Sequence, residues 1–144
     1  MTAKPVPDTR DRYAYFQSIE TRWLDNDAYG HVNNAIYFSW FDSVISRYML
    51  AEGVLDREAG PVCLVVETAC NYFKPVAFPE VVSCGLRLAG IGTSSARFET
   101  AIFRSSDHEA AACGHFVQVC CDRATQRPVP MPQSMRGALE KLRR

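Results

Sequence analysis

Residues Asn33–Gly53 read NNAIYFSWFDSVISRYMLAEG, and their periodicity decides the fold. Tyr37, Trp40, Phe41, Val44, Ile45 and Tyr48 recur at the i, i+3, i+4, i+7 spacing of one helix face. Phe38 and Met49 widen that face to about half the circumference, more than the apolar stripe of an ordinary surface helix. Asn33 or Asn34 can cap the N-terminus and Gly53 can end the helix. The pattern predicts a helix of about five turns, mostly buried. Ser39, Asp42, Ser43, Ser46 and Arg47 fill the remaining arc, where small side chains would let another backbone come close.

A helix with so much apolar surface needs a cover, and the chain supplies it as strands. PVCLVVETACNYFKP (61–75) is rich in β-branched and aromatic residues and stops at Pro75. VVSCGLRLA (81–89) puts Val82, Cys84, Leu86 and Leu88 on one face. SSARFETAIFR (94–104) sets Ala96, Phe98 and Ile102 against Arg97 and Glu99. AACGHFVQVCCD (111–122) places Phe116, Val117 and Val119 in a run expected to be largely buried. The turn signals FPE, GIGTS and SSDHE separate these segments, so neighbouring strands should pair antiparallel. Before the helix, AYFQSIETR (14–22) is a candidate first strand with weak alternation. The expectation is an α+β domain, an antiparallel sheet of about five strands wrapped around one long central helix. Residues 1–13 read as a loose lead-in, and 124–144 as a proline-rich exit with a short basic helix from about Pro132. All 144 residues fit one domain.

Formal net charge is zero, which argues against nucleic acid or an anionic membrane as partner, and no apolar run approaches a membrane span. The six cysteines form no C-x-x-C pair and mostly fall in apolar runs. They read as small buried thiols in a reducing compartment, so the expected location is cytoplasmic.

The chemistry concentrates just ahead of the helix, in WLDNDAYGHVNNAIYF (23–38). One acceptor suffices for a cap, yet Asp25, Asn26, Asp27, Asn33 and Asn34 are all present. A buried helix needs partners for its first N–H groups, and those groups with the positive end of the dipole can hold an anion or oxyanion. A carboxylate beside such donors has the two parts of acyl-transfer chemistry. Gly30 stands alone rather than in a phosphate-binding G-x-G-x-x-G array, and Asp27 with His31 lacks a third metal ligand.

LDNDAYGHVNNAIYFSWF (24–41), VVETACNYFKPVAFPEVV (65–82) and DRATQRPVPMP (122–132) together resemble hotdog-fold acyl-CoA thioesterases of the 4-hydroxybenzoyl-CoA thioesterase type. The likeness spans roughly residues 14–140. It implies hydrolysis of an acyl thioester carried on coenzyme A or an acyl-carrier protein, with no metal and no cofactor beyond the coenzyme A of the substrate. By motif position Asp27 matches the catalytic carboxylate, as nucleophile or general base, and the Asn34 N–H matches the donor that polarises the thioester carbonyl. Asp25 matches the first aspartate of the pair and reads as a loop-holding group. Gly30, His31 and Asn33 support the site, Asn33 as a cap and His31 either orienting substrate or satisfying backbone. Tyr29, Tyr37 and Phe38 are candidate walls of the acyl cleft.

The turn GIGTSSA departs from the pattern, because Thr93, Ser94 and Ser95 offer hydroxyls where some relatives carry phosphate-binding cations. Lys74, Arg97 or a partner subunit could supply that charge, while His108 and His115 read as structural. Three alternatives stay open. Asp42 on the helix could be the catalytic carboxylate. Asp27 and His31 could serve a hotdog dehydratase or hydratase, although the proline of a D-x-N-P-x-H pattern is missing. The domain could also bind acyl groups without turnover. The resemblance further implies a homodimer or homotetramer, with Asp27 facing the other chain near Thr93–Ser95.

Overall fold

The structure, a computed structural model, describes residues 3–144. Its central helix α1 spans Ile36–Ala51, 16 residues or roughly 24 Å at 1.5 Å per residue. It begins one to two residues later than a cap at either asparagine would set. The Asn33 side-chain carbonyl accepts the Ala35 N–H at 2.9 Å, and the Ile36 N–H bonds back to the Asn33 carbonyl at 3.0 Å. Both asparagines therefore sit in the turn before the helix, not in its first coil. Tyr37, Trp40, Phe41, Val44, Ile45, Tyr48 and Met49 form the buried face, with Phe38 half-buried at its margin. Ser39, Asp42, Ser43 and Arg47 are exposed.

Around this helix curls one five-stranded antiparallel sheet: β1 (Tyr15–Glu20), β2 (Val62–Tyr72), β3 (Val81–Ile91), β4 (Ser95–Arg104) and β5 (Ala112–Cys121). The strand order is β1-β3-β4-β5-β2. The three consecutive hairpin-linked strands occupy the middle, and the two strands flanking α1 in sequence form the edges. Val82, Cys84, Leu86, Leu88, Ala96, Phe98 and Ile102 pack against the helix, the face their alternation predicts. A long helix held in a curled antiparallel sheet is the hotdog architecture, and among the described residues no helix is long and apolar enough to cross a membrane.

Four expectations need correction. In β5 the core face carries Phe116, Gln118 and Cys120, while Val117 and Val119 are only half-buried. Strand period overrides the local apolar run, so alternate residues turn outward whatever their hydropathy. Second, the lead-in is not loose from Asp8 onward. A 3-10 turn at Arg10–Arg12 drops Tyr13 onto the outer face of the sheet, where it forms a second apolar cluster with Ala101, Phe103 and Ala110. Arg10 fastens it by donating to the carbonyls of Asp107 and Ser105, each at 2.7 Å. Arg87 bridges Asp8 and Glu99, each at 2.9 Å. Third, β1 ends at Glu20: Thr21 still donates its N–H to the Glu80 carbonyl, and Arg22 enters the next loop. Fourth, helix α2 (Gln133–Glu140) carries Arg136 and Glu140 and is not itself basic; Lys141, Arg143 and Arg144 follow it. Its residues Met135, Ala138 and Leu139 are buried, and the Tyr48 hydroxyl donates to the Ala138 carbonyl at 2.6 Å. All six cysteines are free thiols, three buried and three half-buried.

Candidate active site

The segment between β1 and α1 is a built loop rather than slack chain. A 3-10 turn at Trp23–Asp25 opens it, and the Asp25 carboxylate, 1% exposed, points inward. That carboxylate accepts the Arg22 backbone N–H at 2.7 Å and the Arg22 guanidinium at 2.9 and 3.1 Å. The Asp25 carbonyl takes the Asn33 N–H at 2.8 Å, so one residue ties the two ends of the loop together.

Inside that frame a tight reversal spans Asp27–His31. The Asp27 N–H bonds the His31 carbonyl at 2.8 Å and the Gly30 N–H bonds the Asp27 carbonyl at 3.0 Å. Gly30 closes the turn at φ +80°, a conformation costly for any side chain. Oδ1 of Asp27 accepts the Tyr29 N–H at 2.9 Å, which orients the half-buried carboxylate. Among the described residues Oδ2 has no hydrogen-bond partner. The loop is stapled to the segment before β3, with Val32 N–H on the Val76 carbonyl at 2.7 Å and Phe78 N–H on Asn26 Oδ1 at 3.1 Å.

Asn34 is held from the sheet. The Tyr72 hydroxyl at the end of β2 donates to the Asn34 carbonyl at 2.7 Å, and Tyr72 packs edge-on against Tyr37 at 5.0 Å. Among the described residues nothing accepts the Asn34 N–H. Val32, Asn34, Tyr37, Tyr72, Phe73, Lys74 and Pro75 line a shallow depression of about 300 Å³ beside it. Tyr37 is 3% exposed, and burial pushes its hydroxyl up to about 12, so it stays a neutral wall. Tyr29 is 88% exposed and His31 is exposed with no side-chain partner among the described residues. Phe38 lies against Phe116 at 6.5 Å. Asp42 is exposed on the serine-lined arc of α1.

Thr93, Ser94 and Ser95 are not brought to this loop within the chain. Their turn leans on the C-terminal segment and on β5, with Met131 N–H on the Thr93 carbonyl and Cys120 N–H on the Ser94 carbonyl. Arg136 of α2 donates to the Gly92 and Thr93 carbonyls at 2.7 and 3.1 Å. The 11 residues of β3, roughly 35 Å of extended chain, separate this turn from the Val76–Phe78 staple. Lys74 lies 3.6 Å from Asp107, and Arg97 lies 3.7 Å from Glu67, which also meets His115 at 2.8 Å. His108 stands 3.8 Å from Asp11. No cluster of three or more His, Cys, Asp or Glu suited to a metal occurs among the described residues.

Two contributors escape a reading of the sequence. Tyr72 carries no local signal, since its partner is 38 residues away. Arg22 does carry one, the i, i+3 Arg–Asp spacing, but the expected first strand absorbs it.

A curled sheet around one long helix, with a carboxylate loop at the helix entrance, defines the hotdog class of acyl-thioester proteins. The model of the thioesterase-like superfamily matches residues 21–139, and the chain belongs to that family. The solved structure of the PA5185 protein of Pseudomonas aeruginosa strain PAO1 is 45% identical, with a TM-score of 0.92 over 96% of this chain and 97% of that one. A thioesterase of Thermus thermophilus, solved in complex with coenzyme A and Zn, is 27% identical, with a TM-score of 0.75 over 90% and 95% of the two chains. YsmA of Bacillus subtilis strain 168, an uncharacterized protein, is 22% identical over 91 residues. The match covers 63% of this chain and 62% of YsmA, so the chain spans less than two thirds of that curated relative.

Proposed function

We propose that this protein hydrolyses an acyl thioester of coenzyme A or an acyl-carrier protein, with Asp27 as nucleophile or general base. The observation that carries the reading is that one loop carries both free groups. Asp27 presents a carboxylate oxygen, and Asn34 presents a backbone N–H, neither with a partner among the described residues. Hydrolysis adds water across the acyl C–S bond, the oxygen going to carbon and a proton to sulfur. Asp27 would either attack the acyl carbon itself or take the proton of an attacking water. The Asn34 N–H and the N-terminal end of α1 would hold the negative charge that develops on the carbonyl oxygen. Asp25, already saturated by Arg22, is assigned to holding the loop, with Gly30 setting its turn and Asn33 closing it onto the helix. Tyr37 and Tyr72 would wall the acyl group, and His31 would face the open side.

The coenzyme A bound by the Thermus protein supports coenzyme A as carrier here. Because β3 separates Thr93–Ser95 from Asp27 within one chain, their hydroxyls would reach the substrate only from a second subunit. A homodimer or larger homo-oligomer, a single catalytic domain per chain and a cytoplasmic location complete the proposal. No cofactor is assigned to the hydrolytic step.

The test is steady-state thiol release from a panel of acyl-CoA and acyl-carrier substrates, with Asp27→Asn and Asp42→Asn alongside. Turnover lost in Asp27→Asn and kept in Asp42→Asn supports the assignment. Loss only in Asp42→Asn would move the chemistry onto the helix. Double-bond hydration without thiol release would make the protein a hydratase, and saturable binding without either would make it a carrier.

A further inference from the structure

Three sulfurs converge at the end of the sheet remote from Asp27. Cys63, second residue of β2, lies directly opposite Cys120 of β5 in the strand register. Their Sγ atoms are 3.8 Å apart. Met135 of α2 folds over the pair, its Sδ 3.8 Å from Cys63 and 3.6 Å from Cys120. These sides make a nearly equilateral triangle, and its centre lies about 2.2 Å from each sulfur. That radius matches a metal–sulfur bond, close to the roughly 2.3 Å of thiolate ligation, and trigonal sulfur is a donor set for a soft cation.

We infer that Cys63, Cys120 and Met135 form a binding site for one soft monovalent cation of the Cu(I) class. Two thiols and a thioether select against hard cations, which take oxygen ligands, and three donors fall short of the four that a structural Zn²⁺ takes. Cys120 and Met135 are 2% and 4% exposed, so water would compete poorly with the sulfurs. Met135 also lines a small opening of about 180 Å³ with Pro61, Pro132 and Ser134, which gives the ion a route in. Loading displaces one proton from each thiol to solvent. The resulting centre carries one net negative charge, and Arg136 supplies positive charge beside Cys120. The site is independent of thioester hydrolysis and requires no change of oxidation state.

Cu(I) should be offered to the intact protein under argon as its bicinchoninate complex, with loss of the coloured chelate as readout. One Cu(I) per chain should be withdrawn, and X-ray absorption should show three sulfur neighbours at about 2.2–2.3 Å. Met135→Leu, close in volume and apolar, should keep the circular dichroism of the parent, lower affinity at least ~10-fold and reduce the sulfur count to two. Cys63→Ser and Cys120→Ser should abolish withdrawal, while Cys70→Ser and Cys113→Ser should leave it intact. No withdrawal by the parent would overturn the inference. So would copper that follows Cys70 and Cys113, or a Met135→Leu variant with unchanged affinity and three sulfurs.

Discussion

Asp25 and Asp27 lie two residues apart with nearly opposite surroundings, and substitution should separate their roles cleanly. In Asp25→Ala the Arg22 backbone N–H loses its part-buried 2.7 Å acceptor, a cost of about 1–3 kcal/mol. The guanidinium bonds at 2.9 and 3.1 Å add little, because the Arg22 side chain is 70% exposed and water replaces the carboxylate; their share is under about 1 kcal/mol. The sum is about 1–4 kcal/mol, a fall in melting temperature of about 3–15 °C for a chain of this length. Asp25→Asn keeps a carbonyl oxygen for the backbone N–H and should lose only about half as much. Asp27→Asn keeps an acceptor for the Tyr29 N–H and should melt within about 2 °C of the parent, yet lose at least ~10²-fold in turnover. Calorimetry at fixed protein concentration, paired with thiol release well below each variant's melting point, reads both effects. The reasoning fails if Asp25→Ala melts like the parent, or if Asp27→Asn turns over normally.

Tyr72→Phe removes the hydroxyl that holds the Asn34 carbonyl; kcat should fall about 10-fold with KM nearly unchanged, and a raised KM with kcat unchanged would point to substrate binding instead. Gly114→Ala would put a methyl 2.7 Å from both the Ala69 carbonyl and the Phe41 ring, so urea unfolding should show a loss of about 1–3 kcal/mol. Assembly is the last expectation: sedimentation at micromolar concentration should show at least a dimer. An active monomer of 16.1 kDa would refute it, and mixing an inactive Asp27 variant with an inactive Thr93–Ser95 variant should restore part of the activity if sites are shared.

Most of the fold was legible because two periods dominate it. The 3.6-residue repeat from Tyr37 to Met49 marks one buried helix face, and the alternation in β3 and β4 marks the strands that receive it. Where sequence reading failed, a nonlocal partner had the last word. Val117 and Val119 look like core by composition, but Gly114 must meet Phe41, and period two then sends both valines outward. Asp8–Tyr13 looks loose because its anchors, Arg87, Phe103 and the carbonyls near Asp107, lie about 75–100 residues away. Nothing nearby in the chain announces them.

The candidate site divides along the same line. Asp27, Gly30, Asn33 and Asn34 are legible together because one short loop makes its own turn and helix entrance, with bonds that span two to eight residues. What holds that loop in place, from Tyr72, Val76 and Phe78, comes from the other side of α1. Thr93–Ser95 exposes the limit of reading one chain at a time, since β3 fixes that turn at the far end of the sheet from Asp27. Meanwhile Leu64, Val65 and Val66 stand 37%, 44% and 62% exposed on edge strand β2, next to a ladder with no partner among the described residues. An apolar edge of this kind is a liability for a lone subunit. A second subunit paired along β2 would remove that liability, and it is also the means by which hydroxyls fixed far from Asp27 in one chain could face the Asp27 of another.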